Sequence, residues 1–211
     1  MIRRLVFMPA IVFLCLSMNF VLPADTIQLD GIIGDNEWKG AIEYNLAGGG
    51  KMMLKKSKNE LYVAMVSGKK GWAHVYLYYN DTVRIFHASA ALGEARYVKQ
   101  KGVWHPVQSF SWALREKDYN SELVKKQEDH YSKNGWVANN NNMGNGMVFE
   151  YKLKNSDINS TLSFACAMIE TPMEIHYFPI TLSDNTILEK LVQGYTPDSL
   201  EFNIGSWEKI R

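Results

Sequence analysis

The chain has 211 residues, 23 Lys and Arg against 22 Asp and Glu, and a formal charge of +1. So balanced a chain has no basic field for a polyanion, which argues against nucleic acid as a partner. Its two cysteines, one inside an apolar leader, exclude a disulfide framework, so a hydrophobic core must hold the domain together.

Met1–Ala24 has a basic start at Arg3 and Arg4, an apolar run from Leu5 to Phe20, and Leu22-Pro23-Ala24 before the polar Asp25. This is the pattern of a secretory signal peptide, with the domain proper over 25–211 and a periplasmic or extracellular destination. A retained membrane anchor is the alternative, because the run approaches the length of a span. A lipid attachment at Cys15 fits less well, since Leu14 before it is not small. Cleavage would remove two arginines and no acid, bringing the formal charge to −1 and leaving no membrane span.

Ile27–Leu29 reads as a short first strand, and Asp30-Gly31 and Gly34-Asp35 as turns. Gly48-Gly49-Gly50 marks a loop, followed by neighbouring strands at Lys51–Lys55 and Glu60–Val66. Both faces of the second are apolar, so a central, doubly covered strand is predicted. Trp72–Tyr79 alternates: Ala73, Val75 and Leu77 belong to the core, while Trp72, His74, Tyr76 and Tyr78 form an aromatic face with polar handles.

Asn80-Asp81 turns the chain into a hairpin strand at Val83–His87. Ala88–Gly93 reads as a close crossing or a short turn of helix. Arg96–Gln100 and Val103–Val107 pair across Lys101-Gly102, and Phe110-Ser111-Trp112 continues the pattern. Asn120–Ser132 is the main helical segment, with a thin apolar stripe of Leu123, Val124 and Tyr131. Asn139–Asn142 with Gly144 and Gly146 reads as a flexible loop. Met147–Leu153 alternates, with Glu150 among the outward residues. Thr161–Ile169 alternates with Cys166 inward as a small buried hydrophobe. Pro172–Pro179 is a shorter strand, Thr186–Val192 a short helix ended by Gly194, and Phe202–Trp207 a closing strand. Many short strands and few helices predict an all-β fold, a single antiparallel β-sandwich with one or two short surface helices.

Two stretches, IQLDGIIGDNEW at Ile27–Trp38 and LYVAMV at Leu61–Val66, resemble the opening of the carbohydrate-binding module family 9-like, or DOMON-like, β-sandwiches. Gly135-Trp136, a polar loop and Met147–Leu153 resemble a later family segment, with Glu150 as its acid. The resemblance implies a jelly-roll or immunoglobulin-like sandwich, a structural role for Trp38, and a non-catalytic binding module. It departs at Val83–Ser89, where the acidic pair of many members is missing.

A saccharide is the ligand this implies. Sugars stack a C–H-rich face on an aromatic ring while polar neighbours take the hydroxyls. Trp72 and Trp104 are the first expected platforms, then Tyr76, Trp112 and Trp136, with Arg84 and Glu150 on the rim. For each tryptophan, core packing is the competing reading. Haem or a metal is the runner-up: some DOMON-type sandwiches hold haem through Met and His, and His74 and His87 fall on adjacent predicted strands. Calcium is open at Asp30, Asp35 or Asn36. The sequence carries no HExxH, GxSxG, P-loop, CxxC or dinucleotide turn, so no enzyme is expected. A partner enzyme or an envelope protein is the remaining kind of partner.

Overall fold

The computed structural model describes residues 27–34, 36–57, 59–114, 121–141, 147–154, 162–170, 174–179, 182 and 194–210. The expected signal peptide and the helix over 186–192 lie outside these residues. The described chain is an all-β sandwich with one α-helix. The first sheet has the order β1 (Ile42–Asn45), β2 (Lys51–Lys56), β3 (Glu60–Ser67), β9 (Met147–Lys154), β8 (Trp136–Asn141). The second runs β11 (Glu174–Phe178), β10 (Leu162–Glu170), β4 (Gly71–Tyr79), β5 (Thr82–Ala88), β6 (Leu92–Gln100), β7 (Val103–Ala113), and β12 (Glu208–Ile210) also pairs with β10. Every pairing is antiparallel. The helix α1 (Ser121–Asn134) precedes β8. Among the described residues no helix is long and apolar enough to cross a membrane.

Local chemistry sets the hairpins. Asn80 and Asp81 both take positive φ, 47° and 54°, the two-residue geometry that matches strand twist, and Lys101-Gly102 repeats it at 50° and 88°. Alternation then sorts the faces. Val63, Met65, Phe149 and Tyr151 of the first sheet meet Val75, Phe86, Phe164 and Cys166 of the second in the main core. The Tyr151 hydroxyl donates to the Ala73 carbonyl, 2.8 Å away, and pins sheet to sheet.

The outer faces are covered too. On the second sheet, Tyr76, Ile85, Tyr97, Ala165 and Ile169 pack against Leu200, Phe202 and Trp207 of the C-terminal segment. On the first, Tyr62 and Ala64 lie beneath Ile27 and Trp38. Trp38 is therefore in a core, as expected, but Ile27–Leu29 is an extended cover rather than a strand. Phe202–Trp207 holds a single 3-10 turn, Ile204–Ser206, and the closing strand falls later, at β12. Asn139–Asn141, expected in a loop, is strand: it pairs with β9, Asn139 Nδ2 donates to the Leu29 carbonyl (2.6 Å), and Asn140 Nδ2 to that of Ser89 (2.5 Å).

Glu150 shows the consequence most clearly. Alternation turns it outward, yet the N-terminal segment buries it completely. Its carboxyl accepts the Gly31 N–H at 2.8 Å and the Trp38 indole N–H at 3.2 Å. Burial pushes its pKa up to about 8, against the pull of those two bonds. Glu150→Ala orphans both donors and should cost about 2 kcal/mol or more. The check is a lower urea midpoint together with solvent-exposed Trp38 emission; a midpoint unchanged within error would refute the tether.

Candidate functional site

The edge strand β7 is the centre of the site. Alternation sends Ser111 and Ala113 toward α1 and sends Phe110 and Trp112 to the opposite side. On the helix side lies a cleft of about 520 Å³, walled by residues 111–114 and by Lys126, Asp129, His130 and Lys133 of α1, with Arg96 and Gln108 at its side and Trp136 and Glu94 at its floor.

Glu94 organises this floor. One oxygen accepts Arg84 Nε at 2.9 Å and Arg96 Nε at 2.6 Å; the other accepts the Trp136 indole N–H at 2.8 Å. Burial alone would raise its pKa, but the two guanidinium groups outweigh that and hold it below the usual carboxylate value. Arg84 also donates to the Asn134 carbonyl at 3.2 Å, at the C-terminal end of α1 where a cation is favoured. His130 stands edge-on to Trp136, with ring centroids 5.3 Å apart. Burial lowers its pKa, and the nearby Glu94 charge opposes that only in part. Arg96 is half-exposed and bonds Glu94 through Nε, which points its outer guanidinium nitrogens away from that bond.

On the other side of β7, Trp112 is 45% exposed. Its ring lies against Gly93 of the neighbouring strand, where a Cβ would come within 2.8 Å of it, and against Gly194, where a Cβ would come within 2.7 Å. It stacks on Phe110 at a centroid distance of 5.5 Å and an interplanar angle of 23°. Two glycines and one aromatic neighbour thus hold the indole in place while leaving part of it open. Tyr195, which follows Gly194, is 58% exposed, so this surface carries a second aromatic side chain. Sequence reasoning passed over Tyr195 because it stands outside any periodic strand.

Beneath Trp112 runs a buried chain of bonds. His74 Nε2 is 2.8 Å from His87 Nδ1, and His87 Nε2 is 2.8 Å from Ser89 Oγ. Ser89 Oγ also lies 3.3 Å from the Ala91 carbonyl, and His74 Nδ1 is a buried atom without a partner. Burial lowers His74 well below its ordinary value, with His87 adding to the effect, and brings His87 to about 4.

The expected site residues fall into different places. Trp112 is open. Trp72 is half-buried against the second core, its indole nitrogen unpartnered. Tyr76, Trp104 and Glu150 are enclosed, Tyr76 and Trp104 under the C-terminal segment and Glu150 under the N-terminal segment, while Trp136, buried under α1, reaches only the floor of the cleft. Arg84 is committed to Glu94 rather than to a rim. A ring or carboxyl enclosed on all sides cannot meet a sugar in this conformation. His74 and His87 do lie on adjacent strands, as expected, with one ring nitrogen of each 2.8 Å from the other. At the expected calcium position, Asp30 Oδ1 accepts the Ile32 N–H at 2.8 Å in a self-contained turn, and Asp35 lies outside the described residues.

No protein-family model matches the chain, and no curated protein matches it. Among solved structures it is similar to the crystal structure of a putative carbohydrate-binding protein from Bacteroides uniformis ATCC 8492. The identity is 5%, the TM-score 0.37, and the match covers 70% of this chain and 74% of that one.

Proposed function

We propose that the protein is a non-catalytic binding module that takes a saccharide by stacking it on Trp112. The observation that carries this reading is the held, half-open indole: a ring ordered before binding loses little conformational entropy on contact, and its free face suits a C–H-rich pyranose face. Tyr195, exposed and next in sequence to the Gly194 that seats the indole, offers a further aromatic ring. The half-exposed Arg96 and Gln108 across the edge strand are placed to meet hydroxyls of a longer chain that bends over β7.

The test is tryptophan emission of the full chain against mono- and oligosaccharides. A saturable response to one sugar class is expected. Trp112→Ala should abolish it in a chain that still folds, with a somewhat lower urea midpoint because the ring also packs on His87 and Phe110. Gly93→Ala should weaken binding by pushing the indole off its seat. A response that survives Trp112→Ala intact, or no response across neutral and acidic glycans, would refute stacking at this position.

A further inference from the structure

We propose that Glu170, Glu174 and His176, where β10 ends and β11 begins, form a binding site for a divalent transition-metal ion, with the Lys69 ammonium standing in for the metal. This site is separate from the Trp112 surface and does not depend on the saccharide reading.

Strand register builds the cluster. Glu170 ends β10, Glu174 begins β11, and the ladder sets them opposite each other. His176 follows Glu174 by two residues, so both point to the same side of β11. One ligand atom from each of the three lies within 4.8 Å of the other two. Glu170 and His176 are buried, and Glu174 is exposed.

Two features indicate a cation rather than a finished network. The first is His176, which is 5% exposed, with Nε2 3.3 Å from Glu170 Oε2. Neither ring nitrogen is aligned for a hydrogen bond. The glycine loop explains how the ring is held: Gly48 has φ +89°, and a Cβ there would meet His176 Nδ1 at 2.9 Å. The second is Lys69, whose Nζ lies 2.7 Å from Glu174 and 3.6 Å from Glu170. Its side chain is nearly half-exposed and free to withdraw into water. Ser67 Oγ donates to Glu170 Oε1, which leaves Oε2 facing the cluster. Such outer bonds orient metal-ligating carboxylates.

The donor set selects the ion. One imidazole and two carboxylates suit Zn²⁺ and its first-row neighbours, whereas Ca²⁺ and Mg²⁺ prefer all-oxygen cages. Three protein ligands leave at least one position for water.

Calorimetric titration of the chelator-treated full chain with Zn²⁺, and separately with Ca²⁺, tests the site. One Zn²⁺ per chain is expected, bound more tightly than Ca²⁺. His176→Gln and Glu174→Gln should each weaken Zn²⁺ by about tenfold or more, the scale on which a metal site responds to loss of its support. Lys69→Met should strengthen it, since the competing cation is gone. Glu174 is exposed, so its variant remains informative if His176→Gln fails to fold. Absence of saturable Zn²⁺ binding would overturn the proposal. So would Zn²⁺ binding that Glu174→Gln leaves unchanged, a Ca²⁺ affinity equal to that for Zn²⁺, or weaker binding by Lys69→Met.

Discussion

Glu94→Ala is expected to destabilise the protein by about 3–5 kcal/mol, the usual result of removing one partner from a buried ion pair. The size follows from what the carboxylate serves. It is the shared acceptor of Arg84, Arg96 and the Trp136 indole. Trp136 is buried, so its N–H would be left without an acceptor. Arg84 would keep its bond to Asn134 but lose its counter-charge in a part-buried position. Glu94→Gln retains an acceptor oxygen without the charge and should fall between wild type and Ala. Urea unfolding measures this. A loss below about 1 kcal/mol would mean that water satisfies the two arginines and that the pairing resembles a surface ion pair.

The second large effect is a loss of stability in acid. Unfolded, both histidines titrate near 6.5; folded, burial takes His87 to about 4 and His74 well below the ordinary value. Below pH 6.5 the unfolded chain therefore binds protons that the folded chain refuses, and stability falls as the pH drops. His87 alone accounts for about 3 kcal/mol between its two pKa values. Burial gives the cause, with the two rings' mutual repulsion adding to it at His74, whose Nδ1 is also buried without a partner. Phe110, Trp112 and Tyr76 are the rings around the pair, and none carries a compensating charge.

Glu150 acts with the opposite sign. Its pKa rises from 4.5 to about 8 on folding, so its contribution falls as the pH rises between those values. Two histidines outweigh one carboxyl below pH 6.5, and Glu150 acts largely alone from there to pH 8. Maximum stability is therefore expected near pH 6.5. Below 4.5 the loss steepens, because Glu60, Glu94 and Glu170 all have lowered pKa values when folded and must take up protons there. Urea midpoints from pH 4 to 8 would show the dome. Stability that is flat between pH 6.5 and 4.5, or His74 and His87 ring resonances titrating near 6.5 in the folded protein, would disprove the account.

Much of the sandwich was legible locally. Strand alternation, apolar β3 and the turns at Asn80-Asp81 and Lys101-Gly102 depend on neighbours in sequence, and the structure follows them closely. Cys166 as a buried hydrophobe is also written in its alternating surroundings, whereas Trp38 as core came from the family resemblance. The site was less legible. Alternation says which face a residue is on, but not what covers that face. Trp104, Trp112 and Trp136 look alike in sequence, yet one is open and two are buried.

What the sequence by itself determined is the set of strands, their inward faces and a stock of aromatic rings, because each depends on local periodicity and turn chemistry. Only the tertiary structure decided which rings remain exposed. The segments over 27–34, 36–38 and 194–207 have no periodicity of their own, and they settle across the outer faces through long-range contacts such as Glu150 with Gly31 and Trp104 with Leu200. The same holds for Glu94, whose three donors come from β5, β6 and β8, and for Glu170, whose neighbours Ser67 and Lys69 are about a hundred residues away in the chain. Such clusters exist only once the sheets have formed, because strand pairing and sheet stacking bring together residues that no spacing in the sequence connects.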